Sequence, residues 1–440
     1  MIEVLANRVY RQLFLAQVIA LIGTGLATVA LGLLAYDIAG GNAGAVLGTA
    51  LAIKMVAYIV VGPIAGAYAD LLPRKALLVA LDLVRAAVAI CLPFVSEVWQ
   101  IYVLIFVLQS ASAGFTPTFQ ATIPDVLPNE AQYTRALSLS RLAYDMESLT
   151  SPMLAAALLT VINFHWLFSG TAVGFVASAS LVVTSGLPRA VAAAKREDSI
   201  YAKTTRGIRI YLKTPRLRGL LAVTLSAAAT SAMVIVNTVV IVRGLGLGQR
   251  EVAITLAAYG GGSMLAAFAL PRILDRIADR TIMIVASAAL TALLAMLAAI
   301  GSVSGGNLGW AVILAIWPIL GIAYSMSVTP SGRLLRRSTG SDDRPALFAA
   351  QFALSHVCWL VAYPLVGQLG ARLGMPTALA GMAALSLIGV LAALVLWPRN
   401  DPDALPHDHE DLPADHPHRS EGDKDHAFVI DDLHPNWPKS

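Results

Sequence analysis

Apolar runs of about 20 residues follow one another with only short polar breaks from residue 10 to residue 397. A helix needs about 20 apolar residues to cross the hydrocarbon core of a bilayer. Inside that core each backbone amide must be satisfied within the protein, which restricts spanning segments to helices and closed barrels. Hydropathy places twelve spans at 10–36, 44–69, 76–95, 100–121, 136–161, 166–187, 219–242, 252–272, 281–301, 309–330, 346–369 and 376–397. The composition fits, with 57% hydrophobic and 13% charged residues, against about 25% charged in an average soluble domain. The expected fold is an all-α membrane protein, and the lipid bilayer is its first partner. Arg8 and Arg11 precede the first run, but that run outlasts a signal peptide and has no cleavage site, so no cleavable leader is expected.

Charge fixes the expected orientation. Residues 188–218 carry nine Lys/Arg against Glu197 and Asp198. Other junctions on the same side hold Arg74 and Lys75, Arg135, Arg272, Arg276 and Arg280, and Arg333, Arg336, Arg337 and Arg344. The opposite loops hold only Arg243, Arg250 and Arg372. By the positive-inside rule the basic side faces the cytoplasm, and both termini with it. The chain then divides into a six-helix half (1–187), a basic cytoplasmic linker (188–218), a second six-helix half (219–397) and an acidic tail (398–440). Cell inner membrane is the expected location and a monomer the expected unit.

An internal repeat supports two pseudo-symmetric halves. The loop after span two runs from Gly66 through Asp70 to Arg74 and Lys75, and the loop after span eight carries Asp275 and Arg280. Aligning Asp70 with Asp275 also aligns Lys75 with Arg280, an offset of 205 residues. Paired repeats of this kind place a substrate site between the halves near the midplane. The run Gly66-x-x-x-Asp70-x-x-x-Arg74-Lys75 resembles motif A of the major facilitator superfamily, with Leu71 and Pro73 where the family usually has Arg and Gly. Span four lacks the Arg found in many proton-driven antiporters of that family. The stretches Gln120 to Asp125 and Gly207 to Arg218 look like its drug:proton antiporter-3 branch. The resemblance implies a gating role for Gly66, Asp70, Arg74, Lys75, Asp275 and Arg280. The alternative is that these cations only set topology.

A charge at the bilayer centre costs about 2.5–3.5 kcal/mol on insertion scales, so each one needs a reason. Lys54 lies about 15 Å into span two. Asp82 and Arg85 are three apart, and Arg141 and Asp145 four apart, so each pair can neutralise itself on one helix face. Glu147 projects about 200° away from Asp145 and has no local partner. His356, about ten residues into span eleven, can carry either a proton or a borderline metal, though a lone His in a span also packs as an ordinary hydrogen-bonded residue. Lys54, Arg141, Asp145, Glu147 and His356 are therefore the candidate pathway residues, with a mutual or other inter-helix salt bridge as the structural alternative for Lys54 and Glu147. Asp37 reads as a wet position at the end of span one. Cys91 and Cys358 read as packing residues.

Residues 399–440 hold six of the eight histidines, His407, His409, His416, His418, His426 and His434, among eleven Asp/Glu. Such a segment cannot fold alone and is expected to be disordered. Its imidazoles suit nickel, copper, zinc or cobalt. The last stretch, Phe428 to Trp437, is less random and is expected to dock on the basic loops. A tail of this kind resembles those of nickel-resistance exporters in the drug:proton antiporter-3 branch. The resemblance implies proton-exchange efflux of nickel, with cobalt as a second metal, the ion being cargo or tail ligand and no cofactor being tightly bound. Two alternatives stay open: an exporter of drugs or siderophores, and a membrane metal sensor that does not transport. No phosphate-binding glycine loop or nucleophile motif points to an enzyme, and no feature points to nucleic acid.

Overall fold

The computed structural model describes residues 2–68, 73–127, 129–187, 200–306, 308–340, 343–401, 428–431, 434 and 437. Among these residues every regular element is a helix. In chain order they are α1 (Arg8–Ala39), α2 (Ala43–Tyr68), α3 (Arg74–Cys91), α4 (Val98–Val126), α5 (Glu130–Leu159), α6 (His165–Thr184) and α7 (Ile200–Lys213). Then follow α8 (Pro215–Gly244), α9 (Gln249–Leu274), α10 (Asp279–Val303), α11 (Trp310–Val328), α12 (Ser331–Arg337), α13 (Arg344–Leu373) and α14 (Met375–Leu396). Twelve have 18 residues or more, and each expected span coincides with one of them to within six residues at either end.

Among the described residues ten segments are apolar and long enough to cross a membrane, the first of them running through both α1 and α2. Helix α5 is not among them, and it carries Arg141, Asp145 and Glu147. Exposed Leu387, Ile388, Leu391, Leu394 and Val395 form an apolar strip along α14. Water would penalise such a strip; lipid welcomes it.

Local chemistry sets the helix ends. The Asn7 side chain accepts from the amides of Val9 and Tyr10, and Asn129 from Gln132, satisfying first-turn donors that have no intrahelical partner. Gly374, at φ +86°, supplies the left-handed turn between α13 and α14. The described part of the linker is helical. Residues 200–213 form α7, and α8 starts at Pro215 rather than 219, with proline in the first turn where its missing N–H costs nothing. Arg216 and Arg218 therefore belong to the second half.

Packing repeats between the halves. Helix α1 packs on α6 as α8 packs on α14, α2 on α4 as α9 on α11, and α3 on α6 as α10 on α14. Across the divide α2 meets α13 and α5 meets α9, contacts that the same pseudo-symmetry exchanges. A shared cation position marks the repeat. Lys75 Nζ donates to the Ser185 carbonyl at 3.0 Å, and Arg280 Nε to the Trp397 carbonyl at 3.1 Å. Each is the second residue of the third helix in its half, and each caps the C-terminus of the sixth, where a cation complements the helix dipole.

Three apolar cores follow from this packing. The largest joins both halves on the side away from the basic loops, and includes Ala155 and Leu159 of α5 with Val252 and Leu256 of α9. There the backbones of α2 and α13 touch: a Cβ on Gly48 would lie 2.4 Å from the Tyr363 carbonyl oxygen, and one on Gly367 2.2 Å from that of Gly44. Small residues permit this approach. Asp37 and Arg243, 3.7 Å apart, join the halves on that side, so Asp37 has a partner as well as water. On the basic face there are two separate cores, one in each half. Ion pairs there, such as Arg74–Asp125, Arg135–Glu3 and Arg206–Asp343, each stay on one side of the divide. Among the described residues, the halves share one core on one face and form separate cores on the other.

Candidate functional site

At mid-depth the Lys54 ammonium of α2 and the Glu147 carboxylate of α5 lie within reach of each other's charge, without a direct ion pair between them. Both are part-exposed. Ser151, one turn beyond Glu147, stands beside the carboxylate. Gly25 of α1 makes room for both: a Cβ there would lie 2.1 Å from Ser151 Oγ and 2.6 Å from Glu147 Oε1. Glu147, lacking a partner within its own helix, finds a cation on another one. Insertion of either charge alone would be costly, and opposite charge on a neighbouring helix offsets that cost.

One turn after Lys54, Tyr58 stacks on His356 of α13 with ring centroids 5.5 Å apart and planes at 20°. Phe352 lies 4.0 Å from the His356 ring and 5.9 Å from that of Tyr58. The Nδ1–H of His356 donates to the Phe352 carbonyl at 2.6 Å, which leaves Nε2 as the basic nitrogen. Lys54, Tyr58 and His356 thus follow one another where the halves meet. In the C-terminal half Tyr259 packs against Tyr324 with ring centroids 5.9 Å apart. The site joins a charge pair from the first half to aromatic rings of the second. Sequence reasoning passed over the tyrosines, Phe352, Gly25 and Ser151; the spacing of four between Lys54 and Tyr58, and between Glu147 and Ser151, was the available signal.

The other candidates fall elsewhere. Asp82 and Arg85 pair within α3, buried inside the first half. Ser178 donates to Asp82 at 2.7 Å, and Phe115 and Phe175 sandwich the guanidinium at 4.3 and 4.5 Å. Their role as a structural lock is what this surround supports. The side chains of Arg141 and Asp145 lie outside the described residues, as do Asp70 and the surroundings of Gly66. Arg74 pairs with Asp125 at the end of α4. Asp275 is exposed, and four residues on, the buried Asp279 lies 3.4 Å from Arg333. Of the tail histidines, His407, His409, His416, His418 and His426 lie outside the described residues. His434 is buried, with Nδ1 2.9 Å from Asp431. Among the described residues no three His, Cys, Asp or Glu side chains gather as a metal site would require.

Two six-helix halves around a mid-depth band of charged and aromatic side chains define a multi-pass membrane protein with a transporter fold. The chain belongs to the major facilitator superfamily, whose profile matches residues 13–319 and 220–419. Among curated relatives it is 33% identical over 131 residues to the MFS-type transporter YfiS of Bacillus subtilis, covering 30% of this chain and 31% of that one. It is 26% identical over 153 residues to macrolide efflux protein A of Enterococcus faecalis, covering 32% and 47%. These matches span a third to a half of the relatives' length. Among solved structures, the nucleoside transporter NupG superposes with a TM-score of 0.65 at 13% identity, over 88% of this chain and 98% of that one. A bacterial homologue of the lysosomal transporter Spinster, inward-facing and occupied, gives 0.67 at 12% over 89% and 96%. These two likenesses establish the fold.

Proposed function

We propose that this protein is a secondary active exporter whose cargo passes between the two halves, with Lys54 and Glu147 as its charge switch. The observation that carries this reading is the Lys54–Glu147 pair, held at mid-depth by two helices of one half and set against aromatic rings of the other. A carboxylate beside an ammonium can trade its ionic partner for a proton or a cargo group, which makes the pair a natural coupling point. Joined on the side away from the basic loops and packed independently on the basic face, the halves read as the state open to the cytoplasm, with both termini there. His356 Nε2, stacked on Tyr58, is the second group suited to carry a proton.

The aromatic rings of Tyr58 and Phe352 around His356, with the Tyr259–Tyr324 pair of the second half, favour an organic, amphipathic cargo exchanged for protons, in keeping with the macrolide efflux named for relatives. Export of nickel or cobalt is the second reading, and it rests on the six tail histidines. Everted vesicles under an imposed pH gradient, offered a macrolide, nickel and cobalt in turn, separate the two. Proton-driven uptake of the macrolide is expected, and uptake confined to the metals would reverse the order of the readings. A protein that moves none of them in either direction would remove the exporter reading.

A further inference from the structure

Arg216, at the start of α8 on the basic face, is only 1% exposed. A guanidinium so deeply buried is costly unless its partners are built in, and two separate parts of the tail supply them. Asp401 lies 3.0 Å from Arg216 Nε and 3.6 Å from Arg337, and accepts from the Trp397 indole at 3.1 Å. From 36 residues further along the chain, the Trp437 ring centres 5.3 Å from the Arg216 guanidinium. Phe428 and Ile430, each 3% exposed, share one apolar core with Ile210 and Tyr211 of α7 and Leu347 of α13. The segment also holds its own shape. Asp431 accepts from the His434 amide at 2.7 Å, and the Phe428 ring packs edge-on against His434 and Trp437 at 4.9 and 5.2 Å.

We propose that Phe428, Val429, Ile430, Asp431, His434 and Trp437 form a strap that occupies a peptide-binding pocket on the basic face of the C-terminal half, and that the docked strap fixes the linker helix α7 to that half. Arg216 is the anchor, because the tail closes on it from both ends. The pocket is made for an aromatic–acidic peptide: an apolar floor for Phe428 and Ile430, and a cation faced by Trp437. Its occupant is the chain's own terminus. Covalent attachment through the same chain gives an effective concentration of about millimolar, so even weak docking is held closed. Helix α7 is already tied to α13 by Arg206–Asp343 and by the Tyr211 hydroxyl donating to Gln351. The strap completes its apolar side, so that α7 travels with the second half when the halves rock.

The proposal does not depend on what is transported, and its test reads amide exchange. Hydrogen exchange would be followed in full-length protein, in protein truncated after Asp401, and in full-length Trp437→Ala and Phe428→Ala variants. Truncation should speed exchange in residues 200–213 at least tenfold and leave α1 to α6 unchanged. A synthetic peptide of residues 426–440 at millimolar concentration should restore protection, and one carrying both alanines should not. Should the truncated protein fail to fold, the single alanine variants carry the test, with faster exchange confined to 200–213 and the ends of α8 and α13. Unchanged exchange in α7 would overturn the proposal. So would acceleration spread equally over both halves, which is the mark of general destabilisation.

Discussion

Among the described residues, the first half brings opposite charges together within the membrane in two places, and their surroundings differ in kind. Asp82 and Arg85 belong to one helix, are buried, and are enclosed by Ser178 and two phenylalanine rings. Lys54 and Glu147 come from two helices, remain part-exposed, and stand where the halves meet. A pair sealed within one half moves with it as a rigid body and has no occasion to separate. A pair on two helices of that half, left part-exposed beside the divide, can be reached by a proton or a cargo group and trade partners with it. Position relative to the moving boundary, rather than charge itself, distinguishes the lock from the switch.

The largest effect should come from breaking the lock. Asp82→Ala strands the Arg85 cation in a buried setting, and removing one partner of a buried pair costs about 3–5 kcal/mol. The expected outcome is loss of monodisperse protein on size exclusion and a lower melting temperature in detergent. The double change Asp82→Leu with Arg85→Met should recover most of that loss, because an apolar pair of similar volume needs no desolvation. If the single and double variants were equally unstable, the lock would owe its role to shape and not to charge.

Next in size is the switch. Glu147→Gln keeps the volume and removes the charge, so folding should be retained while gradient-driven transport falls by about 100-fold, or ~2.7 kcal/mol. Initial rates in vesicles, with the melting temperature as control, decide the point. A stable variant with unaltered rates would move the switch elsewhere.

Gly25→Ala presses a methyl group onto Ser151 and the Glu147 carboxylate. A drop in rate of about tenfold, ~1.4 kcal/mol, is expected, and adding Ser151→Gly should restore much of it. The smallest effects belong to Lys75→Met and Arg280→Met. Each removes one helix-capping cation, worth about 0.3–1 kcal/mol, and the two changes should lower the melting temperature by similar amounts if the halves are built alike.

The helices were legible because apolar runs of bilayer length leave the backbone no other choice. The repeat was legible from Lys75 and Arg280, although their shared role as caps was not, since Ser185 and Trp397 are distant in sequence. Spacing of three within α3 announced the Asp82–Arg85 pair, a local contact. Glu147 could be read as lacking a charge partner at helical spacing and Lys54 as one possible counter-charge, but with 93 residues between them no periodicity could choose that pairing over another. The segment from Phe428 to Trp437 was legible as an exception to an otherwise polar tail. Its pocket was hidden, because α7, α8, α12, α13 and α14 each contribute to it.

Hydrophobicity and its interruptions therefore determined that this chain is a helical membrane protein, where its spans begin and end, and which loops are basic. Those properties depend on solvation of each segment separately, and a segment carries its solvation in its own composition. Tertiary structure alone decided which charges face one another, which face the halves share, and where the tail closes. Those properties depend on contacts between side chains far apart in sequence, and electrostatics and packing act over a few ångströms of space, whatever the distance along the chain.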